Sequence, residues 1–365
     1  MNAPLKTPTP DLPLWDLSDL YSARDDASLK RDMEAARAIV AEMNALAGTL
    51  VAARSEPAVL GERLDRAITL YEKAADRLGA VGAYAFLDAS TRRDDAAAQA
   101  FEANVRQSLT EISTPTVWLT LEINQLEEAE VEAALSAHAP ADRWRPWLRR
   151  VRAMKPHELS AELETFIAEQ MPVSAQWPRL FDETLADMRI KAGRDTLTLS
   201  EALNSLSDPK AARRKAVAEG LTEALAAETR TLGLVINTVA AEKALEDRKR
   251  GFKRPADSRH LANEVDGEAV DAMVEAVTAA YPRLSHRYYA AKARALGRTT
   301  LDHWDRNAPL TTKPPRGFDW AQGRALVLDS FSDLGPEFAE RAETFFDRNW
   351  IDARPRAGKQ SGAYA

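Results

Sequence analysis

A chain of 365 residues with 45% hydrophobic and 29% charged residues and a mean hydropathy of −0.39 is long enough to bury a substantial core. That composition is expected of a folded water-soluble chain rather than a disordered or membrane-embedded one. Its 49 basic and 56 acidic residues leave a formal charge of −7, with the two signs interspersed, which argues against nucleic acid as the main partner, since phosphate binding needs a concentrated basic surface. No cysteine occurs, which removes disulfides and thiolate metal sites and leaves His and carboxylates to hold any metal.

The opening MNAPLKTPTPDLPLWDL lacks the apolar core of a signal peptide, and no apolar run of about 18 residues stands out as a bilayer span, so a cytoplasmic location without membrane contact is expected. Apolar or small residues then recur at Leu29, Met33, Ala36, Val40, Met43, Ala47 and Leu50, in alternating steps of four and three. A second series runs through Leu60, Leu64, Ala67, Tyr71, Ala74, Leu78 and Val81, with SEPA as the break between them. Both are one-sided helical stripes, and together they predict an antiparallel pair of long helices with small Ala positions for close approach.

Helical character continues over roughly 94–135, interrupted at Pro115, and resumes from His157. The exception follows in LADMRIKAGRDTLTLSEAL, where Met188 and Ile190, then Leu197 and Leu199, alternate with polar residues around AGRD and predict a β-hairpin near 186–200. SDPKAARRKAVAEG opens a new helix, with Ser207 or Asp208 as N-cap and Pro209 at the first helical position. This start sets the expected domain boundary near 205, dividing an N-terminal helical domain (1–204) from a second domain (205–365) with helices over 208–247, 266–296 and 319–347. EDRKRGFKRP at 246–255 reads as a solvated helix end before a Gly turn, since cations suit the carbonyl end of a helix. The fold class expected is mainly α, with a small β-hairpin.

Five histidines are present: His138, His157, His260, His286 and His303. His157 and Glu158 begin like H-E-x-x-H, the helical motif in which two His grip zinc and the Glu activates water, but the position of the second His is Ala161. KPHELSAELE is therefore read as a helix start. His260 and His286 read as packed or surface side chains. In LDHWDRNAP, Asp302, His303 and Asp305 are expected to form a polar cluster around Trp304, without a second His nearby in sequence to complete a metal site. Neither a Gly-rich phosphate loop nor a nucleophile elbow is found.

WDLSDLY, MKPHELSAELE, WPRLFDETLADMRI with DTLTLSEAL, INTVAAEKALEDRKRGF, LDHWDRNAPL and WIDARPRAGKQSGAYA follow one another across nearly the whole chain. In order and spacing they resemble the oligoendopeptidase F family of zinc metallopeptidases, which is similar in fold to thimet oligopeptidase. The resemblance implies a mainly helical body around a deep channel that admits short peptides. It also implies a zinc site, H-E-x-x-H with a later Glu, that lies C-terminal to the segment matching GKQSGAYA, where metal-activated water attacks the peptide bond. Residues 1–365 stop before that motif.

The expectation is accordingly an N-terminal portion of such an enzyme, inactive by itself, with no catalytic or metal-ligating residue and no zinc of its own. Gly362, Ala363 and Tyr364 are the candidate substrate-binding residues, on a segment with small side chains that a peptide can approach by strand addition. A frayed chain end is the alternative for them. Short peptides and the absent C-terminal catalytic half are the expected partners, and Val270, Met273, Val277, Leu326 and Phe345 are expected on faces left partly uncovered without that half. A non-catalytic helical module that holds peptides or a partner helix is the alternative function.

Overall fold

Stripes of apolar residues at helical spacing must be buried against other elements, and in this chain they build a mainly α fold. A computed structural model describes residues 12–310, 317–354, 356 and 358–360. Helices α1 (Ala27–Asn44), α2 (Thr49–Ala52), α3 (Pro57–Ser90) and α4 (Ala96–Ser113) come first. A 3-10 turn at Thr114–Thr116 places the break at Pro115, and α5 (Trp118–Gln125), α6 (Glu128–Ala137), α7 (Arg145–Ala153), α8 (Ala161–Ser174) and α9 (Gln176–Asp187) follow. Strands β1 (Ile190–Ala192) and β2 (Asp195–Leu197) pair antiparallel, Ile190 opposite Leu197. Gly193, at φ +67°, opens their two-residue turn in the left-handed region that glycine adopts at no steric cost.

Beyond the hairpin lie α10 (Leu199–Ser205), α11 (Ala211–Ala227), α12 (Thr229–Arg250), α13 (Asp257–Ala262), α14 (Gly267–Ala280), α15 (Ser285–Ala295), α16 (Trp320–Leu334) and α17 (Pro336–Asp347). The long helices expected after 205 are thus divided, and α11 begins later than its sequence signal. Lys210 rather than Ser207 or Asp208 is the N-cap. Asp208 instead accepts the Lys210 N–H at 2.7 Å, and the carbonyls of Asp208 and Pro209 accept from Arg214, so the capping residues are spent on a turn that precedes the helix.

Most of the first two stripes are buried: Leu29, Ala36, Val40 and Met43 in α1, and Leu60, Leu64, Ala67, Ala74 and Val81 in α3. Asp32 pairs with Arg77 and Glu42 with Arg66, a falling register that antiparallel helices produce. The first stripe does not continue unbroken to Leu50, however. The chain turns after Asn44, Ala47 is exposed, and Gly48 sits at φ +80°. The N–H groups of Gly48, Leu50 and Val51 all donate to the buried Glu122 carboxylate, which satisfies the orphan donors at the start of α2.

One stretch, Ala27–Ala52, does reach the length and apolar composition of a membrane span. It is broken at this turn and carries Arg31, Asp32, Glu34, Arg37 and Glu42. Its residues Val40, Met43 and Leu50 are buried in protein, and no helix within it attains the roughly 20 unbroken apolar residues that a span requires.

Contacts divide the chain into two compact units, one of Met1–Ile39, Glu72–Leu109 and Pro314–Ala365, the other of Val40–Tyr71 and Thr110–Lys313. The core of the first comprises Tyr21, Leu29, Val81, Tyr84, Ala85 and Val105, with Tyr84 edge-on to both Tyr21 and Phe101. In the second, Met188, Ile190 and Ala192 share a core with Ala202 and Val217. This cluster bridges the boundary expected near 205, because the hairpin buries its apolar face against α11.

Gly220 allows that contact: a Cβ there would lie 1.9 Å from the Lys191 carbonyl oxygen, whereas one at Gly233 in α12 would meet nothing within 4 Å. Gly220→Ala should lower stability by about 1–3 kcal/mol through overpacking, whereas Gly233→Ala should raise it by up to about 1 kcal/mol through helix propensity. Urea unfolding of the two variants checks this. Equal midpoints would show that α11 does not depend on a glycine at the strand.

Candidate functional site

The candidate residues Gly362, Ala363 and Tyr364 lie outside the described residues. The segment that leads to them is described as far as Gln360 and is held on several sides within its own unit. Asp16 donates its N–H to the Asn349 carbonyl, Trp350 Nε1 donates to Asp19, and the Ala353 N–H donates to the Pro13 carbonyl. At the turn from α3 to α4, the Arg93 N–H donates to the Gly358 carbonyl at 2.7 Å and the Gln360 N–H to the Ser90 carbonyl at 2.8 Å. Gly358 takes φ +72° and passes so close to Asp94 that a Cβ would lie 1.9 Å from its Oδ1.

Inside this segment Asp352 has 2% of its side chain exposed and is gripped by both terminal nitrogens of Arg356 at 2.9 Å and by Lys359 at 2.6 Å. Burial pushes the Asp352 carboxyl up, but the two cations outweigh it and hold the pKa below the ordinary carboxylate range. The segment carries no nucleophile or acid–base pair among its described residues.

His157 lies in a 3-10 turn, Lys155–His157, ahead of α8, whose N-cap is Ser160. Its Nδ1 lies 2.9 Å from the Arg250 carbonyl oxygen and its ring stacks on Phe252 at 3.9 Å, so this His is a packing element, as the absent second His of the motif led one to expect. Arg248 and Lys249 form the solvated helix end foreseen for the basic cluster, and Gly251 ends α12 at φ +74°. Arg250 departs from that reading. It turns inward to grip both oxygens of Glu164 at 2.6 and 2.9 Å and to donate to the His157 carbonyl. Burial pushes the Glu164 carboxyl up, yet Arg250 pulls it below its ordinary value.

The polar cluster expected around Trp304 forms with a different centre. Asp305, with no exposed surface, pairs with Arg214 at 2.5 Å and with Arg298, which also holds Asp302. His303 stands edge-on to Trp304 at 4.7 Å and lines an open cleft of about 620 Å³ with Tyr289, Thr299, Leu301 and Arg306. Arg214 and Asp305 are 91 positions apart, a pairing that no local spacing announces. Among the described residues no three His, Asp or Glu side chains converge as metal ligands, and His157 Nδ1 is already engaged. The zinc implied by the sequence resemblance does not fit any group of side chains described here.

The family model described as Oligopeptidase F matches residues 122–190, the stretch from the buried Glu122 to the first residue of β1. Oligopeptidase PepF of Bacillus subtilis is 20% identical over 358 residues, 96% of this chain and 52% of its own length. These matches support a relation to the oligoendopeptidase F family. An oligoendopeptidase F homolog of Lactococcus lactis is 24% identical over 225 residues, 59% of this chain and 37% of its own. For the fold, the solved oligoendopeptidase-F of Enterococcus faecium superposes with a TM-score of 0.66 at 16% identity, covering 91% of this chain and 69% of that one. The chain spans about half the length of the PepF relative.

Two titrations test these polar contacts. Asp352 has a depressed folded pKa, so its contribution is present above the unfolded value and lost as pH falls through the folded one. Amide protection around Asp352 should therefore persist through the ordinary carboxylate range and be lost only as pH falls below it, as read by hydrogen exchange. Glu158 is the reverse case. Burial raises its carboxyl against the opposing hydrogen bond from Asn124, so its contribution is present at low pH and lost as pH rises.

The Asn124 Oδ1 also lacks a partner while its Nδ2 donates to Glu158. Glu158→Gln keeps an acceptor and adds a donor, so it should raise the melting temperature at pH 7 and leave it unchanged near pH 3, where the native carboxyl is protonated. A loss of stability at pH 7 would show that the charge itself is needed.

Proposed function

We propose that this chain is the N-terminal portion of a zinc oligoendopeptidase that hydrolyses short peptides, supplying helical walls and a substrate-side segment while the zinc-binding helix lies outside residues 1–365. The reading is carried by the alignment of 96% of the chain with 52% of PepF. The apolar faces support it: Met273, Val277, Leu326 and Phe345 are each about half exposed, Val270 is half-buried, and α14, α16 and α17 bury no residue fully. A helix with an apolar stripe of this kind is built to face another element.

In this division of labour the chain binds and orients, and no catalytic step is assigned to it, because its described residues do not fit the metal. Gly362, Ala363 and Tyr364 would pair with the main chain of an extended peptide, a mode that reads the backbone and tolerates varied side chains. Short peptides and the catalytic half are the partners proposed, in the cytoplasm, without nucleic acid or membrane.

Elemental analysis of the dialysed chain should find far less than one zinc per molecule, and quenched fluorescent peptides should show no chelator-sensitive turnover. One tightly held zinc per chain, or turnover that a chelator stops in a sample freed of host peptidases, would overturn the proposal. Hydrophobic dye should bind the chain and limited proteolysis should cut first within α14 to α17, since exposed apolar area of this extent is unusual on an isolated protein. A dye-silent, uniformly resistant monomer would favour an independent binding module instead.

A further inference from the structure

The open cleft beside His303, about 620 Å³ in volume, is built entirely within the second unit and has the size of a small-molecule site. One wall is apolar. Tyr289, Ala290 and Ala293 stand at positions i, i+1 and i+4 of α15, so two small side chains leave room beside an aromatic ring on one helix face. The rest of the lining is mostly polar. Asp302 is engaged by Arg298 at 2.6 Å, whereas the hydroxyls of Thr299 and Thr300, the His303 ring and the Arg306 guanidinium have no hydrogen-bond or ion-pair partner among the described residues.

The backbone that carries Arg306 is fixed from below. Its carbonyl accepts from the buried Lys292 Nζ at 2.7 Å, the preceding Asp305 is locked to Arg214 and Arg298, and the Ala308 N–H closes a turn on the Asp305 carbonyl at 3.0 Å. Four cations, Arg214, Lys292, Arg298 and Arg306, are gathered here with two carboxylates, Asp302 and Asp305. The cleft is thus locally positive on a chain of formal charge −7, which favours an anion. A planar carboxylate can place both oxygens on a single guanidinium, and the α15 wall suits hydrocarbon beside it.

We propose that this cleft binds a carboxylate joined to an apolar group, with Arg306 taking the carboxylate and the α15 face taking the apolar part. The C-terminal residue of a short peptide and a free aryl-alkyl acid share that chemistry. Binding of this kind requires neither a metal nor any residue beyond 310, so it stands apart from the peptidase reading above.

Titration calorimetry of the whole chain with 3-phenylpropionate, Ala-Ala-Phe, the amide of each, and inorganic phosphate tests the proposal. At least one of the free acids should bind at one equivalent, and its amide should bind about tenfold more weakly or worse, the worth of a charge-assisted hydrogen bond. Arg306→Ala should weaken the acid by about tenfold, and Arg306→Lys should recover little of the loss. Ala290→Trp, which fills the cleft from an exposed position without altering a charge, should weaken it as much. Lys249→Ala, which removes an exposed cation at the end of α12, should change nothing.

Tighter binding of Ala-Ala-Phe than of 3-phenylpropionate would identify the ligand as a peptide C-terminus and the reverse would identify a free acid; both support the cleft. Failure of both acids to saturate, equal binding of acid and amide, or phosphate binding as tightly as the acids would overturn it. So would an Arg306→Ala chain that binds like the native one, or a Lys249→Ala chain that loses as much as Arg306→Ala. These readouts involve neither zinc nor turnover, so their failure is distinct from failure of the peptidase reading.

Discussion

Burial of one stripe on each of two long antiparallel helices is the constraint on which the remainder of the chain rests. Leu29 and Val81 serve the core of one unit, while Val40, Met43, Leu60 and Leu64 lie in the other. A single pair of helices thus supplies core to both. The Ala positions at 36, 67 and 74 are fully or almost fully buried, where larger side chains would hold the backbones apart. Later elements add to these cores without replacing them.

On that frame, buried charges fix the irregular parts of the chain. Asp305 with Arg214, Glu164 with Arg250, and Asp352 with Arg356 and Lys359 are pairs in which at least one partner is withdrawn from water. Removing one member of such a pair strands the other charge in a poorly solvating site, at a cost of about 3–5 kcal/mol when burial is complete. The buried pairs therefore dictate conformation more than they add net stability. The segment at 349–360 illustrates this, because its course follows its polar ties rather than an apolar face of its own.

The fully buried Asp305 is engaged by Arg214, His157 stacks on Phe252, and α14, α16 and α17 present apolar side chains outward. A helix with such an apolar face is built to meet another element, and the alignment with PepF covers 52% of that protein's length.

The sequence by itself determined the helical class, the paired stripes, the break at Pro115, the hairpin around Gly193 and the exclusion of His157 as one half of a zinc motif. Each is written in periodicity, turn chemistry or local spacing, which act over a few residues. The turn at Ala45–Gly48 and the late start of α11 escaped it, because Glu122, distant in sequence, claims the N–H groups at the turn, and Arg214, drawn to the distant Asp305, claims the Asp208 and Pro209 carbonyls. Tertiary structure alone decided that Arg250 turns inward, that Asp305 rather than His303 centres its cluster, and that Arg93 meets Gln360. These are contacts between residues from 86 to 267 positions apart, and a charged side chain carries no local sign of which distant partner burial will bring to it.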